Sequence, residues 1–96
     1  MRTYKITYRK RAIDHIREIS RWYEAVKDGL GKEFRDELSQ RVQILTKYPK
    51  IAQIVYKNRR FFTLNRFPHY IVFVINESKY NVQIVAVIHP KQNIRP

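Results

Sequence analysis

His89 closes the apolar run NVQIVAVIH and is followed by Pro90 and Lys91, so an imidazole and an ammonium group meet at a strand end. Histidine titrates near neutrality, and there it could move a proton to or from a ribose 2′-hydroxyl. Such cleavage also needs cations on the transition-state phosphate, for which Lys91, Arg60 and Arg66 are the candidates. The structural alternative is a ring that hydrogen-bonds the C-terminal tail or packs on Tyr70. Upstream, RRFFTLNRFP carries Arg59, Arg60 and Arg66. Strand alternation puts Arg60 and Arg66 on one face with Phe62 and Leu64 between them, and Arg59 on the other. Phosphate contact or docking of an acidic partner are the functional readings of this cluster, and charge protection of an edge strand is the structural one. Tyr70, Phe61 and Tyr80 could stack bases, although a core role is expected of Phe61. Arg95 extends the basic series into the tail.

The charge balance tells the same story more coarsely. Lys and Arg number 20 against 8 Asp and Glu, a net charge of +12. Residues 1–37 carry ten basic and seven acidic residues, whereas residues 38–96 carry ten basic residues and only Glu77. A field of that sign attracts phosphate backbones, anionic membranes or an acidic protein. The chain has no cysteine, which excludes disulfides and thiolate metal sites. Its three histidines are far apart in sequence and form no metal-ligand pattern, so no cofactor is expected. No phosphate-cradling glycine loop, serine elbow or paired catalytic carboxylate is present. The longest apolar run, Tyr70 to Ile75, is too short to span a bilayer, and the N-terminus lacks the apolar stretch of a signal peptide. A cytoplasmic protein without a membrane partner is expected.

These residues need a scaffold, and 96 residues with 44% apolar content suffice for one domain, 1–96. Thr3–Tyr8 is expected as a strand with Tyr4, Ile6 and Tyr8 on one face. Ala12, Ile16, Ile19, Tyr23 and Val26 then form a helical stripe that Gly29 and Gly31 end. Phe34, Leu38, Val42, Leu45 and Tyr48 form a second stripe that stops before Pro49. Arg41 falls inside that stripe, its stem packed and its head reaching for solvent, with an interface role as the alternative. His15 and Trp22 flank the first stripe, and Trp22 could anchor a partner. Arg9, Lys10 and Arg11 read as a solvated corner. Ile51–Tyr56, Arg59–Asn65, Tyr70–Ile75 and Val82–His89 follow as strands, with Asn58 taking the positive φ of a tight turn. The expected fold is α+β in the order β-α-α-β-β-β-β, a helical hairpin packed on an antiparallel sheet. Strand 70–75 is apolar on both faces, so its second face must also be covered.

This order and three local motifs resemble the RelE/ParE superfamily of toxins from type II toxin–antitoxin modules. The motifs are GLGKEFRDEL (residues 29–38), YPKIAQIVYKNRRFFTLNRFPHYIVFVI (residues 48–75) and VQIVAVIHP (residues 82–90). The resemblance implies a toxin neutralised by a cognate acidic antitoxin, in a toxin–antitoxin hetero-oligomer. It also implies one of two targets: DNA gyrase for a ParE-like member, which does no chemistry, or mRNA on the ribosome for a RelE-like endonuclease. Lys91, Gln92 and Asn93 stand where many relatives carry an arginine pair, and His69 and Tyr70 stand near where the mRNA-cleaving branch has a phosphate-binding arginine. The resemblance therefore points to the ParE-like branch, a binder rather than an enzyme. The alternatives are the endonuclease and an inactive relative that only binds antitoxin. Under it His89 and Lys91 would be catalytic only in an endonuclease. Arg59, Arg60, Arg66, Tyr70 and Arg95 would meet the target or phosphate, and Trp22 and Arg41 the antitoxin.

Overall fold

A computed structural model describes residues 2–91, so Arg95, expected to meet the target or phosphate, lies outside the described residues. Five strands and two helices follow the expected order: β1 (Lys5–Tyr8), α1 (Lys10–Val26), α2 (Leu30–Leu45), β2 (Gln53–Tyr56), β3 (Arg59–Thr63), β4 (Tyr70–Asn76) and β5 (Asn81–Ile88). The sheet order is β1-β5-β4-β3-β2. Short links make β2 to β5 an antiparallel meander, as expected. The meander returns the chain beside β1 in the same direction as β1, so β1 and β5 pair in parallel and the sheet is mixed. The expectation of a purely antiparallel sheet considered only chain neighbours and missed this closure between first and last strands.

The helical stripes account for most of the core. Ala12 from α1 and Phe34, Leu38, Val42 and Leu45 from α2 are buried against Ile71, Phe73, Val82, Ile84 and Val87 of the sheet. Burying one such large side chain favours folding by roughly 1.5–3 kcal/mol relative to leaving it in water. Two stripe members fall outside: Val26 and Tyr48 are exposed, because α1 ends at Val26 and α2 at Leu45, three residues short of Tyr48. Gly29 caps the hairpin at φ 86, a left-handed conformation that other residues disfavour. Gly31 does not end a helix as expected. It lies inside α2, where a Cβ would stand 2.5 Å from the Ser20 carbonyl oxygen, so its lack of a side chain lets the helices touch.

The turn before β3 also differs, since the positive φ falls on Lys57 rather than Asn58. The apolar second face of β4 is real: Val72, Val85, Ala86 and Ile88 are buried there, with Phe61, Tyr70 and Val74 around them. Val85 and Ala86 share that face because β5 carries a bulge, Val72 pairing with Ala86 and Phe73 with Ile84. No described helix is long and apolar enough to cross a membrane.

Candidate functional site

The bulge decides where His89 sits. Regular alternation from Val82 and Ile84 would send His89 to the face away from the helices. The extra residue brings Val87 to the helical side, and His89 with it. There His89 joins His15 of α1 and His69 of the loop before β4, so all three histidines of the chain line one cleft of about 330 Å³ with Glu18, Ile19 and Lys91. The Nδ1 of His15 accepts the backbone N–H of Val87 at 3.3 Å, and the Nδ1 of His89 accepts that of Lys91 at 3.1 Å. His69 is buried, its ring edge-on to His89 at 5.4 Å and packed against Tyr23 and Phe34 at 5.9 and 5.6 Å. Burial, then the neighbouring His89, push its pKa down to about 4, so it is neutral at pH 7. Burial and the nearby Arg11 also lower His15, against Glu18 and Asp14. Among the described residues, no group of three or more histidine or carboxylate side chains is arranged to hold a metal ion.

The predicted cations do not gather around His89, apart from Lys91. Arg60 donates through Nη1 to the Ala52 carbonyl at 2.7 Å. Arg66 lies beyond the end of β3, so it does not share a strand face with Arg60, and its guanidinium pairs with Glu33. That ion pair holds the Glu33 carboxyl below its usual pKa and the Arg66 guanidinium above its own. Arg41 donates through Nε to the Thr63 carbonyl at 2.9 Å and lies over the Phe62 ring at 4.1 Å, so its head is engaged within the chain rather than reaching for solvent. Glu37 is buried, with its carboxylate accepting the backbone N–H groups of Asn65 and Arg66. Glu33, Glu37 and Arg41 recur every four residues on α2, so one helical stripe grips the chain from Thr63 to Arg66. Arg59 is half-buried on the other face, while Tyr70 packs on Phe61 at 5.7 Å. Tyr80 packs on Tyr4 at 5.4 Å beneath the Arg2 guanidinium.

Sequence reasoning passed over a second region, the groove between the helices. Tyr8, Ile13, Ile16 and Leu38 line a hollow of about 340 Å³. It adjoins one of about 280 Å³ over Ser20, and Ile16, Arg17 and Arg35 line both, with Arg21 on the second. Arg17, Arg21 and Arg35 have no acidic partner among the described residues. The one carboxylate lining the groove, Glu24, already accepts the N–H groups of Gly29 at 2.9 Å and Gly31 at 3.1 Å. Trp22 is 63% exposed on the same helix, its ring edge against Tyr23. The signal in the sequence was the four-residue spacing of Arg17 and Arg21, with Arg35 on the facing helix.

From residue 6 to residue 94 the sequence matches the profile of a family described as ParE toxin of type II toxin-antitoxin system, parDE. The chain belongs to the ParE toxin family. It is therefore a toxin of a type II toxin–antitoxin system. Among curated proteins, no sequence matches. Solved structures agree on the fold. The chain is similar to a chromosomal ParDE system from P. aeruginosa, with a TM-score of 0.73 and 17% identity over 91% of this chain and 96% of that one. It is similar to the intact E. coli RelBE toxin–antitoxin complex, with a TM-score of 0.70 and 15% identity over 93% and 99% of the two chains. The isolated E. coli RelE toxin gives 0.68 and 15% over 95% and 88%. The RelE/ParE architecture expected from the motifs is thus the architecture of this ParE-family toxin.

Proposed function

We propose that this toxin acts by binding DNA gyrase in the cytoplasm, without cutting RNA, and that an acidic antitoxin neutralises it in a hetero-oligomer. The observation that carries the first part is the commitment of its cations. Arg60 is tied to the Ala52 carbonyl and Arg66 to Glu33, which leaves Lys91 as the only candidate cation lining the His89 cleft among the described residues. Phosphodiester cleavage needs charge stabilisation aimed at the reacting phosphate, and losing one such donor typically costs a hundredfold or more in rate. The second part is supported by the net charge of +12 and by the apolar groove with its three unpaired arginines, which suits an amphipathic acidic segment. Trp22 stands ready to extend that contact.

Expression in a sensitive host, followed by RNA and replication readouts, tests the target. Blocked DNA replication with DNA-damage signalling, only mildly relieved by His89→Ala, is expected. A second reading, a ribosome-dependent mRNA endonuclease, draws on the convergence of His69, His89 and Lys91 in one cleft. Codon-specific mRNA cuts abolished by His89→Ala would install it.

A further inference from the structure

One contact in the histidine cleft joins α1 to β5 through an unprotonated nitrogen, and a second of the same kind is local to the end of β5. β1 ends opposite Ile84, and beyond it the N–H of Val87 donates to the Nδ1 of His15 on α1. At the end of β5, the N–H of Lys91 donates to the Nδ1 of His89. A nitrogen that accepts a hydrogen bond cannot carry a proton, so the neutral form of both rings is the Nε2–H tautomer. Protonating the Nδ1 of His15 sets two donors against each other and loses the bond to Val87. His69 lines the same cleft, its Nδ1 buried with no hydrogen-bond partner among the described residues and its ring packed against Tyr23, Phe34 and His89. A charge on that ring would be desolvated and close to any charge on His89.

We propose that His15, with His69 lining the same cleft, forms a proton-operated latch. When neutral, its Nδ1 holds α1 against the C-terminal end of β5 through the Val87 N–H, and when protonated it releases that end. Among the described residues, these groups face the cleft. From α1 come Arg11, Asp14, Glu18 and Tyr23; from the end of β5 comes Lys91; α2 contributes Phe34. Asp14 and Glu18 favour a charged His15, but burial and Arg11 outweigh them. No carboxylate is among the ring neighbours of His69. Both His15 and His69 hold protons less tightly in the fold than in the unfolded chain. The latch is therefore complete above the ordinary histidine range. It weakens as pH falls below about 6.5, and the contribution of His69 is gone near 4. It joins the helix that walls the arginine groove to the strand end that carries His89 and Lys91, so acid should loosen one junction before the rest of the sheet.

Amide exchange of the full chain, followed by NMR at about pH 7.5 and about pH 5 and corrected for intrinsic rates, reads the latch directly. Protection of Val87 should fall by about tenfold or more at the lower pH, while Phe73 and Ile84 at the sheet centre stay protected. In His15→Gln, the amide oxygen can accept from Val87 without titrating, so Val87 should stay protected at both pH values. Equal protection of Val87 at the two pH values in the native chain would overturn the proposal, as would an unchanged pH dependence in His15→Gln. If that variant does not fold, the imidazole nitrogens of the native chain decide. An Nε2–H tautomer at His15 at about pH 7.5 supports the latch, and an Nδ1–H tautomer there overturns it.

Discussion

Two sets of arginines divide this molecule. Those of the second half, Arg41, Arg60 and Arg66, are held by Thr63, Ala52 and Glu33 of the same chain. Those of the helical hairpin, Arg17, Arg21 and Arg35, line an apolar groove and have no acidic partner among the described residues. Net charge pointed to the second half, which has a single carboxylate. Counting charges ignores where acceptors lie. Two acids of the first half, Glu33 and Glu37, reach across to the second, and carbonyl oxygens hold Arg41 and Arg60. Under the proposed function, the surface that meets the acidic partner is the hairpin, the half with the more balanced composition. Among the predicted target-binding arginines that are described, Arg59 alone has no acceptor among the described residues, and it keeps that candidacy.

The largest break in this contrast should come from Glu37→Ala. It leaves the N–H groups of Asn65 and Arg66 without their buried charged acceptor. Hydrogen bonds to charged groups contribute about 1.5–3 kcal/mol each, so a loss of roughly 3 kcal/mol is expected in a urea melt at pH 7. Glu37→Gln, which keeps one acceptor, should lose less. Gly31→Ala comes next: its Cβ meets a backbone oxygen that cannot swing aside, so the helices must part, at a cost of about 1–3 kcal/mol. That variant should also deform the groove and weaken antitoxin binding, unlike Glu37→Ala.

Acidification acts through His69. Its pKa is lowered to about 4 in the fold, so its contribution to stability is full above the unfolded value of about 6.5 and is lost as pH falls toward 4. His69→Phe should flatten the stability profile across that window. Arg60→Ala removes one bond to the Ala52 carbonyl and should cost about 1 kcal/mol without changing antitoxin binding. Asp14→Ala, which breaks an exposed ion pair with Lys10, should leave the melting temperature unchanged.

The helices were legible because their apolar residues recur at helical spacing and polar residues mark the other face. β5 was less so. Val85, Ala86, Val87 and Ile88 are all apolar and all buried, so no polar residue reveals that the alternation slips by one. That slip carries His89 to the helical face, and with it the meeting of His15, His69 and His89 became unreadable. Each histidine comes from a different element, and neither spacing nor motif links them. The clamp on residues 63–66 had a signal in the spacing of Glu33, Glu37 and Arg41. Arg41 also falls within the apolar stripe of α2, and its acceptor is a backbone carbonyl that no residue type announces.

The division between the two arginine sets is tested most directly by binding. The triple variant Arg17→Ala, Arg21→Ala, Arg35→Ala and the single variant Arg60→Ala can be titrated against the acidic product of the neighbouring reading frame. Three lost charge pairs of about 1 kcal/mol each predict affinity reduced by roughly a hundredfold for the triple variant, with its melting temperature unchanged. Arg60→Ala should bind like the native chain. Native-like binding by the triple variant, with loss of binding in Arg60→Ala, would contradict the account and return the partner surface to the strands.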